Sequence, residues 1–228
     1  MTVSATAILL CAGKGERLGA GVDKALVPLA GRPLFTWGLE AFERAAGIDR
    51  IVMVGPVKRM KEMLAASGLM TRKIVAWSEG GRERQDSVAR GLHVMPDDAT
   101  LVAIHDCARA LVTSELIARV VGDAAQHGAA IAALPLGDTL KRGALGVIET
   151  TVPRQGLFCA QTPQAFRRDW IVAAHAAATR QATDDAALVE ALGHRVHLTA
   201  GEPLNFKITT PQDLELAEAW LTRTSART

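Results

Sequence analysis

The chain has 228 residues, 49% of them apolar and 22% charged, with a formal net charge of +2. That balance excludes global disorder and lacks the basic excess of a dedicated nucleic-acid binder. Tyrosine is absent and aromatics reach only 4%, which also argues against a stacking platform for single strands.

The apolar runs are too short for a membrane span of roughly 18 residues, the longest being Ala5–Ala12 and Ala129–Leu136. No basic stretch precedes the first of them, so no signal peptide is expected. The three scattered cysteines, Cys11, Cys107 and Cys159, suit a reducing cytoplasm and form neither a disulfide framework nor a zinc motif. The length predicts a single domain over 1–228, enough to bury about 70% of the unfolded chain's surface.

Thr6–Cys11 reads as a buried strand. Pro33–Ala46 predicts a helix, with Leu34, Trp37, Ala41, Phe42 and Ala45 on one face and Pro33 in its first turn. Ile51–Val54 is a second strand, and Val57–Ser67 a short helix showing Met60, Met63 and Leu64 and closed by Gly68. Strands follow at Ile74–Trp77 and Leu101–His105. Between them Asp86 or Ser87 can cap a helix over Val88–His93. Thr113–His127 is the clearest helix: Thr113 or Ser114 caps it, Ile117, Val120, Val121 and Ala124 form its stripe, and Gly128 ends it. Ala130–Leu134 is a further strand. The alternation predicts an α/β, Rossmann-like doubly wound and mainly parallel sheet, with ligands beyond the carboxyl ends of its strands.

The segment Gly137–Gly156 breaks this rhythm with two β-like pieces, Thr139–Arg142 and Val147–Val152, around Gly143 and Gly146. A protruding hairpin arm and an ordinary edge hairpin both satisfy that pattern. Helices are expected at Arg168–Arg180, Asp184–Leu192 and Pro211–Leu221, with short strands near Val196 and Phe206.

After the first strand comes Ala12-Gly13-Lys14-Gly15-Glu16-Arg17-Leu18, and six residues later Lys24. Glycines let backbone amides approach phosphate oxygens. A dinucleotide fingerprint fails because Leu18 holds the place of its third Gly, and a P-loop fails because Ala25 and Leu26 follow Lys24. Two readings remain: a long phosphate loop with Arg17 and Lys24 facing the phosphates, or a surface turn with solvated charges. Gly80-Gly81-Arg82-Glu83-Arg84-Gln85-Asp86-Ser87-Val88 can be a Gly turn before a capped helix, or a set of amides for a nucleobase. In His105-Asp106-Cys107-Ala108-Arg109, Asp106 ends a strand at the ligand edge, well placed for Mg²⁺; capping a turn or pairing with Arg109 would serve equally. His105 reads as strand-end structure, Cys11 and Cys107 as small apolar fillers, and Trp37, Trp77, Trp170 and Trp220 as core or interface. Later motifs are Asp138–Arg142, Pro153-Arg154, Gln161-Thr162-Pro163-Gln164, Thr183-Asp184-Asp185-Ala186 and Asn205–Leu214. Each has a routine local explanation: Thr162-Pro163 as a turn, Thr183 as a helix cap, Thr210-Pro211 as a helix start.

The first loop, with Pro28-Leu29-Ala30-Gly31-Arg32-Pro33-Leu34, resembles the signature of sugar-nucleotide-type nucleotidyltransferases. With the later motifs in order, the chain from Ala5 to Leu221 is similar to the 2-C-methyl-D-erythritol 4-phosphate cytidylyltransferases of non-mevalonate isoprenoid biosynthesis. Pentitol-phosphate (ribitol 5-phosphate) cytidylyltransferases share much of the pattern. The resemblance implies transfer of CMP from CTP to a polyol phosphate with release of pyrophosphate, using Mg²⁺ or another divalent cation. It implies Ala12, Gly13 and Gly15 as the phosphate loop, Arg17 and Lys24 as catalytic cations, Gly81 and Ser87 at the cytosine, and Asp106 at the metal. Arg109, Thr139, Arg154, Thr162, Thr183 and Lys207 would contact the acceptor, Thr139 and Arg154 across a homodimer formed through the arm. Neither nucleic acid nor membrane is an implied partner. Cys11, Ala110, Arg82 and the Ala25-Leu26 pair depart from the common family pattern, but remove no charged group.

Two rivals stay open on the residues alone. A nicotinamide dehydrogenase would share the sheet but needs the third Gly. A non-catalytic nucleotide-binding module could dispense with Lys24 and Asp106.

Overall fold

The computed structural model describes residues 4–13 and 23–225. Strand β1 (Ala5–Leu10) is buried at every position, as befits a strand flanked by parallel neighbours and covered on both faces. A 3-10 turn at Lys24–Leu26 and a short antiparallel pair, β2 (Pro28–Leu29) and β3 (Arg32–Pro33), lead into α1 (Leu34–Arg44). The expected alternation follows: β4 (Ile48–Val54), α2 (Val57–Ser67), β5 (Ile74–Ser78), α3 (Arg84–Val94), β6 (Leu101–Asp106), α4 (Ser114–His127) and β7 (Ala129–Pro135). Then come β8 (Leu140–Ala144), β9 (Val147–Val152), β10 (Phe158–Arg167), α5 (Arg168–Ala177), α6 (Asp185–Ala191), β11 (His197–Ala200) and α7 (Pro211–Ser225).

The main sheet has seven strands in the order β11-β7-β10-β6-β1-β4-β5. Its pairings are parallel except those of β10, which runs antiparallel to both β6 and β7. Side chains alternate across it. Ala7 and Leu9 join Phe35, Phe42, Met60, Ile117 and Val121 on the face covered by α1, α2 and α4. Ile8 and Leu10 join Val88, Ile104, Phe166, Ile171 and Val189 on the face covered by α3, α5 and α6. A smaller cluster packs Ala217 of α7 against Leu29, Leu34, Ala110 and Ile208. Thr113 caps α4 as expected, accepting from the Leu116 amide at 3.1 Å.

Four local expectations are corrected. Gln161–Gln164 is not a turn but the middle of β10, whose pairing with β7 shifts register between Ala160 and Gln164. A proline cannot donate to a ladder, so Pro163 disguises a central strand, and the irregularity accommodates it. The strand expected near Phe206 does not form, because that segment bonds elsewhere: the Ile208 amide donates to Ala108 and the Asn205 amide to Glu202. Helix α3 starts four residues early, with Glu83 as its cap and Asp86 bonding back to the Glu83 amide. Asp184 rather than Thr183 caps α6, accepting from the Ala187 amide at 3.0 Å.

Strands β8 and β9 form a sheet of their own, separate from the main one. Leu145 and Gly146 connect them, both at positive φ (51° and 80°), the conformation of a tight hairpin loop. The protruding-arm reading of this segment therefore holds over the edge-hairpin one.

Candidate functional site

A cavity of about 500 Å³ opens at the carboxyl ends of β1 and β6. It gathers Ala12, Gly13, Lys24, Ser87, Asp106 and Lys207 from the sequence-derived set. Gly15 and Arg17 lie outside the described residues. Gly81 sits just behind the wall, its amide donating to the Ser87 hydroxyl at 2.9 Å. The Lys24 amide donates to the Gly13 carbonyl at 2.9 Å, which fastens the two ends of the first loop together. The Gly80-Gly81 turn owes its glycines to close approach: a Cβ at Gly80 would stand 2.1 Å from that of Ala12, and one at Gly81 2.2 Å from that of Asp86. Side chains there would push the turn off both the loop and α3.

Among the described residues four lining cations (Lys24, Arg82, Arg84 and Lys207) face two lining carboxylates (Glu83 and Asp106), so the cavity favours a polyanion. Asp106 is 8% exposed. Its Oδ1 accepts from Arg84 Nε at 2.9 Å and its Oδ2 from Lys207 Nζ at 2.7 Å. Burial alone would raise its pKa, but the two cations outweigh it and hold the carboxyl well below the usual range. Arg84 is tethered from behind by Asp185, at 2.8 Å, and Asp185 meets His175 Nε2 at 3.2 Å. For Arg84 too, burial opposes the charge and the carboxylates of Asp106 and Asp185 overcome it.

Behind Asp106 lies a neutral network. The Asp106 amide donates to Thr162 Oγ1 at 3.1 Å, and that hydroxyl stands 3.0 Å from His105 Nδ1. The Arg109 carbonyl, 3.3 Å from Nε2, can only accept, so Nε2 carries the ring proton and Nδ1 accepts from the Thr162 hydroxyl. Burial, with Arg109 nearby, pushes the His105 pKa down to about 3 against the pull of Asp106. His105 is therefore neutral structure at the strand end, as expected. Burial likewise pushes the Cys107 thiol up, which keeps it a protonated, apolar filler at the strand end.

The other predicted residues stand outside the cavity lining. Arg109 donates to the Asn205 carbonyl at 2.8 Å and the Ala160 carbonyl at 3.3 Å. The Asp106 carboxylate pairs with Arg84 and Lys207, not with Arg109. Thr162 is buried behind Asp106; Thr183 is exposed before α6. Thr139 and Arg154 are exposed on the arm, where Arg154 donates to the Gly137 carbonyl at its base. Of the tryptophans, Trp37 and Trp77 pack partly buried against core clusters. Sequence reasoning missed Arg84, Asp185 and His175 as a unit, since only the fold brings them together.

Among the described residues no cluster of three or more His, Cys, Asp or Glu side chains could cage a metal. One ionised carboxylate beside a polyanion-favouring cavity still fits Mg²⁺, which takes one or two carboxylates and fills its shell with phosphate oxygens and water.

The family model described as 2-C-methyl-D-erythritol 4-phosphate cytidylyltransferase matches residues 5–223. The enzyme of that name from Nocardia farcinica is 44% identical over 225 residues, covering 98% of this chain and 96% of that one. Its counterpart from Gloeobacter violaceus is also 44% identical, over 94% of each chain. The crystal structure of 2-C-methyl-D-erythritol 4-phosphate cytidylyltransferase from Thermus thermophilus superposes with a TM-score of 0.77 at 37% identity, over 97% of this chain and 100% of that one.

Proposed function

The chain belongs to the 2-C-methyl-D-erythritol 4-phosphate cytidylyltransferase family, and we infer from that membership what each part of its cavity does. The reaction joins CTP to 2-C-methyl-D-erythritol 4-phosphate, giving 4-diphosphocytidyl-2-C-methyl-D-erythritol and pyrophosphate. The observation that carries the site assignment is the cation-rich cavity around an ionised Asp106 at the carboxyl edge of the sheet.

The acceptor phosphate is already anionic near neutral pH, so its oxygen attacks the α-phosphorus of CTP in line without a general base. That agrees with a site beside which His105 is buried, neutral and fully engaged. Catalysis then reduces to bringing two polyanions together and stabilising the charge on the phosphoryl oxygens. Backbone amides of Ala12, Gly13 and Gly15 hold the triphosphate, while Lys24 and Arg17 stabilise the five-coordinate phosphorus and the departing pyrophosphate. Ser87 fixes the Gly81 turn against which the cytosine packs. Bound at Asp106, Mg²⁺ would supply charge neutralisation for the triphosphate oxygens. Arg84, anchored by Asp185, sets the orientation of that carboxylate. Lys207 reaches from Asp106 towards the acceptor; Arg109 and Thr183 complete the acceptor side, and Thr162 acts on it by holding the Asp106 backbone.

In this reading the arm pairs two copies of the chain, so that Thr139 and Arg154 serve the neighbour's acceptor pocket, and the whole chain works as one domain in the cytoplasm. Pyrophosphate release with CTP, ATP, GTP and UTP, each offered 2-C-methyl-D-erythritol 4-phosphate and ribitol 5-phosphate, tests the assignment. Turnover is expected with CTP and the methylerythritol acceptor. Preference for ribitol 5-phosphate, or for another nucleotide, would overturn it.

A further inference from the structure

Cys11 and Cys107 follow directly on β1 and β6, which pair in parallel with Leu10 opposite Asp106. The Cys107 amide continues the ladder, donating to the Leu10 carbonyl at 3.0 Å. The two cysteines are thus cross-strand neighbours. Adjacent strands stand about 4.8 Å apart, inside the window of about 4.4–6.8 Å over which Cα atoms accept a disulfide. Their Sγ atoms are 2.8 Å apart, less than about 1 Å beyond the bonded distance of about 2.05 Å. The two thiols are not equivalent. Both are buried, but Cys11, at 2% exposure, still contributes to the lining of the nucleotide cavity between Leu10 and Ala12, whereas Cys107 is 0% exposed and does not. The third cysteine, Cys159, is exposed on β10.

We propose that Cys11 and Cys107 are a reversible oxidation site, closing to a disulfide when a hydroperoxide enters the cavity. The Cys11 sulfur attacks one peroxide oxygen and the O–O bond breaks; with hydrogen peroxide this leaves a sulfenic acid and one water. The Cys107 sulfur then attacks the sulfenic sulfur, the S–O bond breaks, and a second water leaves with the Cys107 proton. Two thiols lose two electrons and two protons, and the peroxide takes up both. A small dithiol reverses the step by exchange. Geometry favours the disulfide over further oxidation of Cys11, because the resolving thiol is already in contact. One corollary rests on the cytidylyltransferase reading: bound CTP fills the cavity through which Cys11 is reached, so it protects the pair.

The test uses the full chain with Cys159→Ser, so that the exposed thiol adds no chemistry, and hydrogen peroxide as the probe. Non-reducing digestion and mass spectrometry should show one linked species joining the Cys11 and Cys107 peptides, two hydrogens lighter than their sum and released by dithiothreitol. Cys11→Ala in the same background should abolish it. Two free thiols after an exposure that oxidises the urea-unfolded chain, or sulfinic acid on Cys11 without linkage, would overturn the proposal. Saturating CTP with Mg²⁺ should slow linkage about tenfold or more, the occupied fraction being closed to peroxide. A calorimetric CTP titration run alongside separates the two readings: CTP that binds without protecting contradicts the cavity route, whereas CTP that fails to bind counts against the nucleotide assignment and leaves the linkage to be judged on the mass map.

Discussion

At the carboxyl edge of β1 and β6, Asp106 is clasped by Arg84 and Lys207, Arg84 is backed by Asp185, and the strand end is bonded to Thr162 and His105. In the β8–β9 arm, by contrast, Leu145, Val147 and Ile148 stand 103%, 68% and 62% exposed, and the hairpin bonds chiefly to itself. The first region is finished by its own chain. The second is not: an isolated two-stranded hairpin is marginal in water, and apolar side chains on an exposed arm gain stability only against another surface. The contrast supports placing the nucleotide half of the reaction within one chain and giving the arm, with Thr139 and Arg154, to a second copy.

The largest effect should come from the cavity. Lys24→Ala should lower kcat by about a hundredfold or more, since a donor aimed at transition-state charge contributes about 3–4 kcal/mol, while the unfolding midpoint stays close to that of the parent. A near-normal kcat would return Lys24 to the surface-turn reading. Asp106→Asn should cost about tenfold to a hundredfold in activity and raise the Mg²⁺ concentration needed for half-maximal rate. Arg84 keeps Asp185 as its partner, so the fold should survive. Unchanged metal dependence would make Asp106 purely structural.

The network beneath the cavity should show itself in stability rather than rate. His105 has a folded pKa of about 3 against about 6.5 unfolded. Between those values the unfolded chain takes up a proton that the folded chain refuses, so stability is complete above about pH 6.5 and falls as the pH drops towards about 3. Urea titrations at about pH 7 and about pH 5 should differ by about 2 kcal/mol from this group. His105→Gln should be less stable at neutral pH yet lose correspondingly less on acidification; an equal loss would assign the acid sensitivity to other groups.

The smallest effect belongs to the arm taken alone. Ile148→Glu should weaken self-association by about tenfold, as loss of a partly buried aliphatic contact on each copy requires, and leave the heat stability of the dissociated chain unchanged. Sedimentation at several concentrations would read it. Unaltered association would move the interface off this face of the arm.

Much of this comparison is written in the sequence. Parallel strands buried on both faces are spelled as short apolar runs, so β1, β4, β6 and β7 stand out, and the arm stands out by interrupting them. Strand β10 does not, because Gln161, Thr162, Pro163 and Gln164 read as a turn. Its buried polar groups are satisfied only by the tertiary structure: Gln161 bonds around Glu202 and Asn205, and Gln164 bonds Asp184 and the amides that open α6. The Gly loop, Lys24, Asp106 and Lys207 were legible because local motifs mark them. Arg84 was visible only as part of a helix start, and nothing local links it to Asp185 or His175.

The claim that one chain holds the nucleotide while its neighbour's arm completes the acceptor pocket is tested most directly by mixing two defective variants. Lys24→Ala and Arg154→Ala chains, each inactive alone, are unfolded and refolded together in equal amounts. Random pairing makes about half the dimers mixed. In each mixed dimer one site then joins an intact Lys24 to an intact Arg154 from the partner, and the other site lacks both. Activity should therefore recover to about a quarter of the parent value. No recovery, with mixed dimers confirmed by mass, would show that both residues act within one chain and would contradict the shared site.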